Sequence, residues 1–173
     1  MRLTPSKYKK LAVYDVIQNH NDERYLDSEF LTLKNLSSKA KGAKFEQIVE
    51  EMLRSRGHEV TGSKIGSDAD RCVDGEHIEI KGSFMWKDTD TFRFQQIRDQ
   101  NYKFVVFLFV YPTHISLKAA YKQDVMSFIT ETNSKGEFIH NQHGGKKVNS
   151  GTYFIDAREE DIPFLYDIDE VFV

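Results

Sequence analysis

Residues 67–83, SDADRCVDGEHIEIKGS, bring together three charged side chains whose types and spacing can do chemistry: Asp70, Glu79 and Lys81. Between them, Asp74-Gly75 is a dipeptide that supplies the positive φ angles of a two-residue hairpin turn. Counting outward from that turn sets Val73 opposite Glu76, Asp70 opposite Glu79 and Asp68 opposite Lys81. Side chains alternate along a strand, so Asp68, Asp70, Glu79 and Lys81 share one face while Ile78 and Ile80 take the other. Two carboxylates directly opposite one another repel unless a cation lies between them, and a divalent ion with oxygen ligands meets that need. Asp70 and Glu79 are therefore the expected metal ligands, with Asp68 the alternative to Asp70 if a bulge or a register slip intervenes. Lys81 is expected to orient or deprotonate a water, or to stabilise developing negative charge. The plainer alternative is a solvated hairpin face whose charges form surface ion pairs.

A hairpin of this kind needs a sheet and helices to hold it. Residues 7–18 read as a short helix, followed by an irregular link over 19–30. In LSSKAKGAKFEQIVEEMLRSRGHEV, Phe45, Ile48, Val49, Met52 and Leu53 recur at the spacing of an amphipathic helix that Gly57 ends. HEVTG reads as a strand, and the hairpin arms cover 69–73 and 76–81. Residues 92–100, FRFQQIRDQ, suit a short helix, on which the adjacent Gln95 and Gln96 point about 100° apart. Phe104–Val110 is apolar throughout and ends at Pro112, far short of the ~20 residues that cross a bilayer, so it reads as a buried strand. HISLKAAY is a further strand, KQDVMSFITE a helix and TYFID a late strand. Strands alternating with helices around one apolar strand imply an α/β fold with a mixed β-sheet flanked by α-helices.

A length of 173 residues, 39% hydrophobic and 29% charged, suits one globular domain rather than a disordered chain. It divides into an N-terminal extension over 1–38, a core over 40–130, and a C-terminal loop and strand over 131–173. The basic N-terminus lacks the apolar stretch of a signal peptide, and the single Cys72 cannot pair internally, which together lead us to expect a cytoplasmic location. The net charge of −3 leaves partners open, but its distribution is uneven. Lys41 and Lys44 with their neighbours, and Lys146 and Lys147, form local basic groups that can neutralise phosphates. In IHNQHGGKKVNSGTYF, Asn141, Gln142 and His143 surround a Gly-Gly pair and carry groups that can read base edges. No Cys or carboxylate set accompanies His140 and His143, so zinc is not expected there.

The ordered set of a helical Glu, an Asp, a short hairpin, Glu79-Ile80-Lys81 and a following Gln resembles the PD-(D/E)XK nuclease superfamily, of restriction-endonuclease-like fold. The resemblance spans about residues 40–130 and lacks the leading proline. It implies a Mg²⁺-dependent DNA endonuclease of restriction or phage type, with Mn²⁺ able to substitute. Asp70 and Glu79 would hold the metal, Lys81 would act on the attacking water, Glu46 would support the water or a second ion, and Gln95 would assist, with Gln96 as its alternative. Gln96, Arg98, Lys41, Lys44 and the loop residues Asn141, Gln142, His143, Lys146 and Lys147 would contact DNA. A homodimer or higher homo-oligomer is expected if both strands are cut. The alternatives are a catalytically inactive nucleic-acid-binding module of the same fold and a repair exonuclease.

Overall fold

Residues 22–63 and 68–172 are described by the computed structural model, so the helix expected over 7–18 lies outside them. A 3-10 turn, Glu23–Tyr25, interrupts the link expected to be irregular, and a short helix, α1 (Leu31–Lys34), follows it. The main helix, α2 (Ser38–Ser55), starts where the Ser37 hydroxyl accepts a hydrogen bond from the Ala40 amide, which satisfies one of the donors a helix start leaves free. Its stripe of Phe45, Val49 and Leu53 is buried, and it ends before Gly57, whose φ of 95° suits glycine. β1 (Val60–Gly62), β2 (Arg71–Val73) and β3 (Glu76–Phe84) follow as an antiparallel run. The turn between β2 and β3 has positive φ at both Asp74 (48°) and Gly75 (88°), as the dipeptide requires.

β4 (Phe92–Ile97) is a strand and not the short helix expected over 92–100. Phe92, Phe94 and Ile97 are all buried, and the step of three between the last two spans a bulge at Gln95 and Gln96, where Gln96 takes a φ of 56°. β5 (Phe104–Val110) is buried along its whole length, parallel to β3 on one side and antiparallel to β6 (Ile115–Tyr121) on the other. α3 (Lys122–Ile129) and β7 (Tyr153–Ala157) come where the sequence set them. β8 (Tyr166–Asp167) and α4 (Ile168–Val171), which the sequence did not suggest, close the chain. One sheet runs β1-β2-β3-β5-β6-β8, and a second pairs β4 with β7. The expected class, a mixed sheet flanked by helices, is therefore the observed one. Among the described residues no helix is long and apolar enough to cross a membrane.

Two cores form because β5 alternates its side chains between two faces. Phe104, Val106, Leu108 and Val110 pack with Phe45, Val49 and Leu53 of α2. Val105, Phe107 and Phe109 pack with Phe92, Phe94 and Ile155 from the small sheet and with Val125 and Ile129 of α3. Tyr25 ties the edge of the first core, donating its hydroxyl to the Val110 carbonyl at 2.6 Å and accepting from the Met85 amide at 3.2 Å.

The approach of α2 to β3 depends on Gly82. A Cβ built there would lie 2.3 to 2.7 Å from three ring atoms of Phe45. Gly82→Ala should therefore destabilise the fold by about 1–3 kcal/mol through forced displacement of a buried ring, read as a lower denaturant midpoint at an unchanged slope. Wild-type stability in this variant would show that α2 seats without the close contact.

Candidate active site

The β2–β3 ladder follows the expected register for three pairs, Val73 with Glu76, Cys72 with His77 and Arg71 with Ile78, and stops there. Asp70 does not continue it as a cross-strand partner of Glu79. Its amide still donates to the Ile78 carbonyl at 3.0 Å, but its carboxylate turns inward and Oδ2 accepts the Ile80 amide at 2.7 Å. A side-chain oxygen has taken the place of the next backbone acceptor, and the chain leaves the sheet. Asp68, expected opposite Lys81, is exposed and outside β2. Among the described residues β3 therefore has no strand partner on that side from Glu79 onward, and a cleft of about 830 Å³ opens along it, lined by residues of α2, β3, β4 and the turn between the two strands.

β3 pairs in register with β5, Glu79 with Val105 and Lys81 with Phe107, so both charged side chains lie on the face of the second core. Glu79 is 5% exposed. Its Oε1 meets Lys81 Nζ at 2.7 Å, while Oε2 is buried with no hydrogen-bond partner among the described residues. Burial raises the Glu79 pKa above the usual carboxylate value; the Lys81 charge works against this and the neighbouring Asp70 charge adds to it. An unmet buried acceptor costs about 1–3 kcal/mol, and more when charged. A proton or a bound cation relieves that cost, so the carboxylate pair Glu79 and Asp70 fits a hard divalent ion, which takes oxygen ligands.

Glu46 reaches the site from α2, on the opposite face of the sheet. Its Oε2 accepts from Arg71 Nη1 at 2.8 Å, and burial followed by the Asp70 charge raises its pKa above the usual value. Arg71 also donates through Nε to Glu50 Oε2 at 3.0 Å and through Nη1 to the Asp70 carbonyl at 2.8 Å. One guanidinium thus joins the helix to the residue before it on the hairpin arm. Asp70 is the link between the two faces, since its charge acts on both Glu46 and Glu79. Among the described residues no three His, Cys, Asp or Glu side chains are grouped as a ready metal-ligand cluster. Glu46 is held by Arg71, and Asp70 Oδ2 by the Ile80 amide.

The remaining sequence candidates separate in space. Lys41, Gln95 and Gln96 line the cleft. The two glutamines sit at a strand bulge rather than on a helix, and both are exposed. Lys44 is exposed on α2 and holds Gln47 at 2.8 Å, and Arg98 is exposed beyond β4 with its carbonyl taken by the Tyr102 hydroxyl. Asn141, expected to read bases, builds its own loop instead. Its Nδ2 donates to the carbonyls of His143, Gly145 and Val148, and its Oδ1 accepts from the Ser150 amide at 3.0 Å. Gln142 Oε1 accepts the Gln96 amide at 2.6 Å, fixing the bulge and bringing this loop to the end of β4. His143, Lys146 and Lys147 are exposed on that loop.

Sequence reasoning passed over Arg71 and Arg93, and took Lys34 only as one of a basic group with Lys41 and Lys44. Glu46 and Glu50, four apart on one helix face, were the available signal for a cation such as Arg71. Lys34 lines the cleft 3.6 Å from the buried Asp22 carboxylate, and burial lowers its pKa below the usual lysine value.

No known family pattern matches the chain, and no curated protein matches it either. Among solved structures, the fold overlaps that of a bacterial homing endonuclease, I-Ssp6803I, with a TM-score of 0.42 and 17% identity over 57% of this chain and 80% of that one.

Because burial keeps the folded Glu79 pKa above its unfolded value, the stability tied to its protonation is complete below the ordinary carboxylate range and is lost as pH rises through the raised value. Glu79→Gln removes that titration. In chelator, the stability of wild type relative to this variant should therefore fall as pH rises across that window, measured by denaturant unfolding at successive pH values. Parallel pH profiles for the two proteins would show that Glu79 is not held in this state.

Proposed function

We propose that the protein is a divalent-metal-dependent nuclease of the restriction-endonuclease-like kind, hydrolysing phosphodiester bonds of DNA. The observation that carries this reading is the buried Glu79 carboxylate, one oxygen of which has no partner among the described residues, with the Asp70 charge acting on the same group. Asp70 and Glu79 would hold Mg²⁺, or Mn²⁺ in its stead. Such an ion, when bound, polarises a phosphoryl oxygen and lowers the pKa of a coordinated water.

The protein's own groups would then do the following. Lys81, only partly exposed and 2.7 Å from Glu79, would keep its ammonium beside the reacting phosphate, where it can hold the attacking water or offset charge that develops in the transition state. Glu46 would accept a hydrogen bond from that water or support a second ion, once drawn away from Arg71. Lys34, Lys41 and Lys81 give the cleft lining positive charge suited to a phosphate backbone. Gln95 would steady the substrate from the bulge of β4. A nucleic-acid-binding module without cleavage is the second reading, favoured by the grip of Arg71 on Glu46, which leaves two carboxylates rather than three at the site.

Plasmid nicking with calorimetric Mg²⁺ titration tests this. Wild type should cut with Mg²⁺ or Mn²⁺ and stop in excess chelator. Asp70→Asn and Glu79→Gln should lose metal binding and cleavage together. Lys81→Ala should keep or gain metal affinity, because it removes a competing cation, while cleavage falls by about a hundredfold or more. Cleavage undiminished in chelator, or a fully active Lys81→Ala protein, would end the proposal.

A further inference from the structure

The chain has one tryptophan, and it is 54% exposed on the wall of the cleft. Trp86 sits in the turn between β3 and β4, a position the apolar cores do not use. Burial would recover roughly 1.5–3 kcal/mol for a large apolar side chain, so its exposure needs another account.

Its mounting is rigid. The Trp86 amide donates to the Thr91 carbonyl at 2.8 Å and its carbonyl accepts the Asp90 amide at 3.0 Å. Arg24 Nη1 grips Asp90 Oδ1 at 2.7 Å, tying the turn to the N-terminal part of the described chain. The guanidinium carbon of Arg93 lies 5.3 Å from the centroid of the indole ring, and Arg93 is itself fixed by Asp156, with Nε to Oδ2 at 2.8 Å. Asp156 in turn accepts from the Thr91 hydroxyl at 2.7 Å. The indole is thus braced by a charged plane on a closed turn, in the same cleft as Lys81, Lys41 and Lys34. A side chain meant only to shield apolar surface would need no such scaffold.

From this we infer that Trp86, backed by Arg93, is a stacking platform for an unpaired nucleobase, and that the substrate strand carries its scissile phosphate next to an unstacked nucleotide. This rests on the nucleic-acid reading of the cleft above. A flat aromatic beside lysines suits a single strand, whose bases have free faces and whose phosphates are spaced along the same path. In a blunt duplex every internal base face is already stacked, so the platform would have nothing to take. The inferred substrate class is therefore single-stranded, flapped or locally opened nucleic acid.

Because Trp86 is the sole tryptophan, indole emission reports on this position alone. The full chain is titrated in chelator, where no metal-dependent cleavage occurs, with a short oligodeoxythymidylate, an oligouridylate, a blunt duplex of two complementary strands and inorganic polyphosphate. Emission should be quenched by the single strands and not by polyphosphate or the blunt duplex; the DNA and RNA arms show which sugar is accepted. By fluorescence anisotropy with a labelled single strand, Trp86→Ala should weaken binding about five- to hundredfold, while Trp86→Phe should retain most of the affinity. Circular dichroism melts check that both variants fold. Quenching by polyphosphate equal to that by oligonucleotide, or equal affinity for the blunt duplex, would overturn the inference. So would an emission change on concentrating the protein alone, with a dimer seen by sedimentation, because the indole would then meet a second copy of the chain. If the single strands quench but no metal supports cleavage, the platform stands and the nuclease reading falls; cleavage without quenching gives the converse.

Discussion

The parallel pairing of β3 with β5 governs everything built on this chain. β5 is buried on both faces, so a strand laid beside it in register must commit alternate residues to each of two cores. Ile78, Ile80 and Gly82 go toward α2, and Glu79, Lys81 and Ser83 go toward the β4–β7 sheet. A one-residue slip would exchange the two sets, exposing isoleucines and driving a carboxylate and an ammonium under the helix. The apolar demand of β5 therefore fixes where the charges stand, and the charged residues of β3 are carried to one face by their isoleucine neighbours.

The cost of that commitment falls on Glu79. Buried beside Lys81, it keeps one oxygen satisfied and one unmet. Replacing such a pair with apolar residues is often neutral or stabilising, so the pair contributes little to holding the fold together. What holds the fold locally is Arg71, whose guanidinium spans Glu46 and Glu50 on α2 and the Asp70 carbonyl on the hairpin. The same contacts couple the helix carboxylate of Glu46 to the geometry of the hairpin arm that carries Asp70.

The elements that the sequence made legible are those with one strong local cause. Asp74-Gly75 dictated the turn, the unbroken apolar run dictated β5, and the Phe45, Val49, Leu53 spacing dictated α2. Glu79 and Lys81 were readable as a pair because a strand period of two admits only one arrangement. β4 was misread because its bulge converts a strand period into buried residues at 92, 94 and 97, and a step of three is what a helix face shows. The bulge is held by Gln142, a residue forty-six positions away, which no local window contains. Asn141 was misassigned for a related reason: an amide suited to base edges is equally suited to backbone carbonyls, and a glycine-rich loop offers many of those. The end of the β2 ladder at Arg71 was hidden as well, since it depends on Asp70 choosing the Ile80 amide over continued strand pairing.

That choice explains why the site lies where it does. An unpaired strand edge invites aggregation, and proteins commonly cover or interrupt such edges. Here β2 is only three residues long, so the later half of β3 is left without a strand on that side, between α2 on one face of the sheet and β4 on the other. Asp70 caps the first amide of this stretch with a carboxylate, and the helix and the β3–β4 turn wall the remainder into a cleft. A longer β2 would continue the ladder past Ile78 and pair away the backbone that the Asp70 carboxylate now caps. The shortness of one peripheral strand is thus what leaves the edge of β3 open as a cleft, with Asp70, Lys81 and the braced Trp86 indole on its lining.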